Sequence, residues 1–226
     1  MTADSRLTRL LEHPAIWRGR NAARLNVVRT GFATLDARLP GNGWPQVGLV
    51  EILLSRIGIG EIYLLLPALA QLTSRPLARW CAWIAPPELA DLAADRRLEP
   101  YAPALAAHGV ALSRVLIVRS ASPLWACEQA LGSGACEVSL VWMHRIAPRA
   151  LRRLQLAAER GRTLGFLFRD LTGAAARESS CAALRLTVEP AGEATRITVL
   201  KSRGGLRGSF EIDLHGNAAM LGAQGS

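Results

Sequence analysis

A chain of 226 residues and 24.3 kDa, half of them hydrophobic, has enough apolar surface to offset the entropy of ordering, which excludes a disordered or collagen-like chain. No apolar run reaches the roughly 18 residues of a membrane-spanning helix, because 47–54 stops at Ser55 and Arg56 and 62–72 is broken by Pro67. With 27 basic against 18 acidic residues the formal charge is +9 and the pI near 10.8, which favours an anionic partner such as nucleic acid or an acidic protein face. Lys201 is the single lysine, so the remaining cations are all arginines.

The opening stretch MTADSRLTRLLEHPAIW lacks a long apolar run before a small-residue cleavage site, so a cytoplasmic address is expected. The first 29 residues read as an arm, with a short helix over about 5–11, a break at Pro14 and Gly19, and a candidate strand over 25–28. Residues 47–54, VGLVEILL, form a near-continuous apolar run between glycine-bearing turns, the pattern of a strand buried on both faces of a parallel sheet. The sequence then predicts a helix over 62–73, a strand over 78–85, a helix over 100–108 and a strand over 115–119. A helix over 124–131, a strand over 137–142, a helix over 148–160 and a strand over 163–169 continue the alternation. Such alternation with short loops indicates right-handed βαβ units around a mainly parallel sheet. Three strand-like runs over 183–188, 194–201 and 210–214 follow with turns between them, so an antiparallel extension should finish the sheet. One α/β core domain over 30–215 and a flexible tail over 216–226 complete the expected organisation.

In a parallel sheet the loop after a central strand aims its amides at the next helix N-terminus, a natural phosphate cradle. That loop is Leu54-Ser55-Arg56-Ile57-Gly58-Ile59-Gly60-Glu61. A working P-loop, GxxxxGK[ST], uses glycines to wrap the phosphates, lysine to neutralise them and a hydroxyl to hold magnesium. Gly58 and Gly60 are kept, but Glu61 and Ile62 stand where the lysine and hydroxyl belong. The strand ending Val141-Trp142-Met143-His144 carries no carboxylate for a metal shell, and that ending Trp83-Ile84-Ala85 lacks one as well. No nucleotide, metal or other cofactor is expected, and no catalytic residue is assigned. The four cysteines, Cys81, Cys127, Cys136 and Cys181, show no CxxC spacing and lie in apolar segments, as buried reduced thiols do. His13, His108, His144 and His215 have neither metal spacing nor a carboxylate companion in the sequence.

Several stretches occur in the order of a RecA-type core: Thr30-Gly31 with Leu35-Asp36, 41–51 (GNGWPQVGLVE), Tyr101-Ala102, Glu128-Gln129-Ala130-Leu131 with Ser133-Gly134-Ala135, and Val199-Leu200-Lys201-Ser202-Arg203 with Phe210-Glu211-Ile212. Within that superfamily LPGNGWP, the GIGE loop, YAPAL, LWACEQAL, LRRLQLAAE and the late KSRG resemble ImuA, the RecA-like accessory family of bacterial damage-induced mutagenesis. The resemblance implies a RecA-like P-loop core with a degenerate nucleotide site. It further implies a non-catalytic adaptor joining ImuB and an error-prone DnaE-type polymerase to RecA or DNA in translesion synthesis, within the SOS response. The matching RecA pair reaches a neighbour's ATP, so Lys201 and Arg203, on one face of a strand, become candidates for capping a nucleotide in trans.

From residue 144 to 177 eight arginines face Glu159 and Asp170, so +6 of the total charge is concentrated there. Arg149, Arg152, Arg153, Arg160 and Arg162 form the candidate DNA or partner face, against the simpler reading of a solvated helix surface. Trp83 and Trp142 read as core, and Trp17 and Trp44, beside turns, as candidate interface residues. Two other readings stay open: a SulA-type cell-division inhibitor that binds FtsZ, also without ATPase chemistry, and an unusual ATPase.

Overall fold

The computed structural model describes residues 26–85, 100–202, 204 and 206–214. A two-stranded antiparallel ribbon pairs β1 (Val27–Val28) with β2 (Trp44–Pro45) around a short helix α1 (Ala33–Asp36). The main sheet has eight strands: β3 (Gly48–Leu54), β4 (Trp80–Ala85), β5 (Val115–Arg119), β6 (Cys136–Trp142), β7 (Leu164–Asp170), β8 (Leu184–Ala191), β9 (Ala194–Ser202) and β10 (Gly208–Ile212). Their spatial order is β10-β9-β8-β3-β7-β6-β4-β5. The six strands from β8 to β5 run parallel, and β9 and β10 turn back antiparallel.

Sequence dictates the layering. All seven residues of β3 are buried, which is why its apolar run scarcely alternates. One face packs against α2 (Leu66–Thr73) and α3 (Ala102–Ala107), with Leu65, Leu69, Leu72 and Leu105 meeting Ile52, Leu140 and Phe166. Trp142 stacks on Phe168 with ring centroids 4.7 Å apart and touches Trp83 at 4.9 Å. Trp44, expected at an interface, is instead wholly buried and meets Phe166 edge to face, because the β1–β2 ribbon folds inward onto this core. Trp17 lies outside the described residues, as do 1–25 of the predicted arm and the tail over 216–226.

The other face carries α4 (Pro123–Gly132) and α5 (Pro148–Gly161). On α5, Leu151, Leu154, Ala157 and Ala158 point inward at helical spacing while the arginines point out. Gln155, also inward, accepts the Leu49 amide at 2.9 Å and so satisfies the entry of β3. The end of α5 is a non-glycine left-handed cap at Arg162, with φ 51°. Arg79 holds it, donating to the carbonyls of Gly161 at 3.1 Å and Arg162 at 2.8 Å and to Gly134 at 3.0 Å.

The sheet is therefore α/β and mixed, but a P-loop nucleotide core is not what it builds. After β3 the chain does not step from a glycine turn straight into a helix. Residues 61–65 form turns, with Tyr63 N bonded to Gly60 O and Leu65 N to Ile62 O, and α2 starts only at Leu66. Pro67 fixes that start, since it has no N–H to continue a helix from upstream. The helix predicted from 62 is thus shorter at its front. A further short helix, α6 (Gly173–Arg177), and the β1–β2 ribbon also complete the fold.

Two expected outcomes follow from the packing. A Cβ at Gly161 would lie 2.0 Å from the Leu131 carbonyl oxygen, so Gly161→Ala forces α4 and α5 apart. It should cost about 1–3 kcal/mol, read as a lowered urea midpoint with unchanged slope. Burial pushes the thiols of Cys81 and Cys127 up to about 12 from 9.0. Both should resist iodoacetamide at pH 8 in the native chain and react on unfolding. Between pH 9 and 12 only the unfolded chain releases these protons, so stability from this source is full below pH 9 and declines toward pH 12.

Candidate functional site

The loop after β3 lies at the carboxyl ends of the parallel strands, where open α/β sheets place their ligands. Ser55 and Gly58 are exposed, and Gly58 and Gly60 take φ of +85° and +93°, backbone that favours glycine. Glu61 is buried, and both its carboxylate oxygens accept the Gly58 amide at 3.1 Å. The chain thus supplies its own anion to an amide that a phosphate would use. Leu214 closes the loop from the far end of the chain, lying 3.6 Å from where a Gly60 Cβ would stand. The cradle is filled by side chains of the same molecule.

At the same edge His144 Nδ1 lies 2.8 Å from Asp170 Oδ2, each about half exposed. The sequence showed no carboxylate companion for His144 because the partner sits 26 residues on, at the end of the adjacent strand β7. Asp170 ends β7 and His144 lies two residues beyond β6, so the pair meets only because those two strands are neighbours in the sheet. Among the described residues no group of three or more His, Cys, Asp or Glu could hold a metal ion.

Beneath this edge lies a buried ionic cluster that the sequence reading passed over. Glu51, wholly buried in β3, meets Arg169 of β7 through Oε1 and Nη1 at 2.5 Å and Arg185 of β8 through Oε2 and Nε at 2.9 Å. Arg185 stands directly opposite Glu51 in register, and Arg169 is diagonal to it. Arg185 also donates to the carbonyls of Glu178, at 2.5 Å, and Ala175, capping the end of α6. Arg169 reaches the Glu178 carboxylate at 3.4 Å. The cluster therefore pins the segment 171–183 across the sheet. Lys201, expected to reach a neighbour's nucleotide, donates instead to the Ser180 carbonyl of its own chain and pins the same segment. Arg203 lies outside the described residues.

The five arginines of the candidate basic face are placed differently from one another. Arg149 and Arg152 are exposed on α5. Arg153 pairs with Glu128 of α4, and that hydrogen bond holds the Glu128 carboxyl below its usual range. Arg160 lies over Gly132, and Arg162 forms the α5 cap with its carbonyl bound by Arg79. Three of the five are thus engaged in joining or ending α4 and α5.

No family model matches the chain. Over 157 residues, 68% of this chain and 86% of the relative, it is 32% identical to "Cell division inhibitor SulA" of Yersinia enterocolitica serotype O:8. The chain belongs to the SulA family. The SulA protein of Yersinia pestis strain Pestoides F is 30% identical over 126 residues, covering 54% of this chain and 68% of that relative. A crystal structure of SulA from Pseudomonas aeruginosa is 25% identical with a TM-score of 0.41, over 54% of this chain and 98% of that one.

SulA kinship overturns the resemblance to ImuA and, with it, the RecA-like P-loop reading of Ser55, Gly58, Gly60 and Glu61. The partners implied by that resemblance, ImuB, RecA, an error-prone DnaE-type polymerase and DNA, fall for the same reason, as does the role in translesion synthesis. The motifs that carried it are short, apolar and glycine-rich, and such strings mark strands and turns of many α/β folds. No helix among the described residues is long and apolar enough to cross a membrane.

Removing one partner of the buried cluster leaves uncompensated charge. Glu51→Ala should destabilise the chain by about 3–5 kcal/mol in urea titration. Replacing Glu51, Arg169 and Arg185 together by Met or Leu should recover most of that loss, yet amide exchange over 171–183 should accelerate, since the α6 cap is gone. A loss below about 1 kcal/mol for Glu51→Ala would show that the cluster is not desolvated.

Proposed function

We propose that this chain is a cell-division inhibitor of the SulA type, made in response to DNA damage, that acts in the cytoplasm by binding the division protein FtsZ rather than by catalysis. The observation that carries the reading is 32% identity across 86% of a relative named for cell-division inhibition. The loop is consistent with it from chemistry: the Glu61 carboxylate occupies the Gly58 amide, so this loop offers an anion where a phosphate would need a donor. An inhibitor that works by occupancy needs a rigid surface and no turnover, and the pinned segment 171–183 and the capped end of α5 supply rigidity.

A stoichiometric binder should reduce assembly in proportion to its own concentration. Purified chain added to FtsZ from the same source with GTP should lower the sedimentable polymer, approaching completion near equimolar ratio. Expression in rod-shaped cells should give filaments with undivided septa. Unchanged polymer mass at about fivefold excess, with a folded inhibitor, would reject the reading.

A further inference from the structure

Helices α4 and α5 lie side by side and run in the same direction, since Glu128 meets Arg153 and, further along both, Gly132 lies under Arg160. Their outward side carries two large apolar side chains that the core does not use: Trp125 is 59% exposed and Leu156 51%. Both stand on the seam between the helices. At the helical turn per residue, Trp125 lies within about 60° of Glu128 and about 20° of Gly132, the α4 positions that face α5. Leu156 lies within about 60° of Arg153 and about 40° of Arg160 in the same way. Trp125 stands one turn before the Glu128–Arg153 bridge and Leu156 one turn beyond it, so about 9 Å of helix rise separates the two anchors. Cations frame them. The two helices hold four arginines, Arg149, Arg152, Arg153 and Arg160, against the carboxylates of Glu128 and Glu159. Arg153 pairs with Glu128, and Glu159 accepts from Gln155 at 2.8 Å. Arg149 and Arg152 are exposed and have no carboxylate partner among the described residues.

We infer that the α4–α5 seam receives an amphipathic helix of a partner protein, whose apolar side chains about two turns apart meet Trp125 and Leu156 and whose flanking carboxylates meet Arg149 and Arg152. The two apolar anchors have no use on a phosphate backbone, and Glu128 repels one, which favours protein over nucleic acid. A second copy would set the same net positive stripe against itself. The chain's own ends are unsuited by charge: 1–25 carries five arginines against Asp4 and Glu12, and 215–226 has no acidic side chain. Segment 86–99 does carry acids, Glu88, Asp91, Asp95 and Glu99, but its tethers are too short. It joins Ala85, in the sheet, to Pro100, which leads into α3 on the face opposite α4 and α5. Reaching the outer side of the α4–α5 layer from the sheet takes about 15 Å, and returning past the sheet to the α3 layer about 25 Å. Seven residues spent as a two-turn helix leave about eight links, which span about 28 Å at full extension, short of that crossing of about 40 Å. The seam and the division-inhibitor reading stand apart, and either can fail without the other.

The test uses the full chain and three synthetic peptides of about fifteen residues. One is a helix former with leucines seven positions apart and glutamates beside them, the second carries lysines instead, and the third is a scramble of the first. The glutamate peptide should bind saturably in calorimetric titration, about tenfold or more tightly than either of the others, and weaken as salt rises. It should shift tryptophan emission to the blue, and Trp125→Phe should remove that shift. Leu156→Ser, and separately Arg149→Glu with Arg152→Glu, should each cost about tenfold or more in affinity. These side chains are exposed, and circular dichroism checks that each variant is folded. Failure of the glutamate peptide to saturate by about 1 mM, or equal binding of the scramble, overturns the inference. So does tighter binding of a DNA duplex of about 20 base pairs than of the peptide at the same salt, which assigns the seam to nucleic acid. Self-association of the free chain that Leu156→Ser abolishes overturns it equally, assigning the seam to a second copy. A gain of about tenfold in peptide affinity when Glu88→Gln, Asp91→Asn, Asp95→Asn and Glu99→Gln are combined overturns it too, assigning the seam to the chain's own segment.

Discussion

A carboxylate at the centre of the innermost strand governs this structure. Glu51 has no access to water, and a charge so placed is tolerable only while both guanidinium groups stay against it. That requirement fixes more than one pair of contacts. Arg185 and Arg169 belong to the strands on either side of β3, so a slip of either strand by one residue would turn its arginine to the opposite face and strand the charge. Apolar packing alone would accept several registers of three such similar strands; the ionic centre accepts one. Through Arg185 the same constraint reaches outward to the end of α6, so a surface segment inherits its position from the core.

The chain's positive charge reads differently once its arginines are located. A pI near 10.8 suggests a broad anionic partner, yet the guanidinium groups of Arg79, Arg153, Arg169 and Arg185 are tied to carbonyls or carboxylates within the molecule. Guanidinium forks suit this work because one side chain can satisfy several carbonyls at once, as Arg79 does where three segments converge. Part of the positive charge therefore serves the fold rather than a partner.

The order and type of the main-sheet strands were legible in the sequence because each is a short, strongly apolar run bounded by turn residues, and the meander after residue 183 declared itself by its turns. Helix α5 appeared with its ends almost in place, since Pro148 opens it and its apolar stripe is regular. The second ribbon strand, Trp44–Pro45, and the five-residue α6 were hidden, for two strand residues or one helical turn leave no period to detect. At the site, the loop and its misplaced Glu61 could be read directly. The acceptor role of Glu61 toward Gly58 could not, because it depends on a turn geometry that propensity does not encode. His144 with Asp170 and Glu51 with its arginines were illegible for a shared reason: their partners are distant in sequence, and a lone charge within an apolar strand looks like an interruption. The family was misjudged because short glycine and leucine strings recur wherever strands give way to helices.

The carboxylate seated on the Gly58 amide makes this loop a poor starting point for a nucleotide site. Binding a nucleotide here would need a cation at 61, a hydroxyl at 62 and an acid at the end of β6, and none of these changes is useful without the others. A lysine at 61 alone would lose the internal acceptor and leave the Gly58 amide open, loosening a loop that Leu214 now seals. A loop filled in this way is free to drift at its exposed tip, Ser55 and Arg56, while its buried half is held in place, so variation among descendants should collect on the outside of the turn and spare the glycines beneath it.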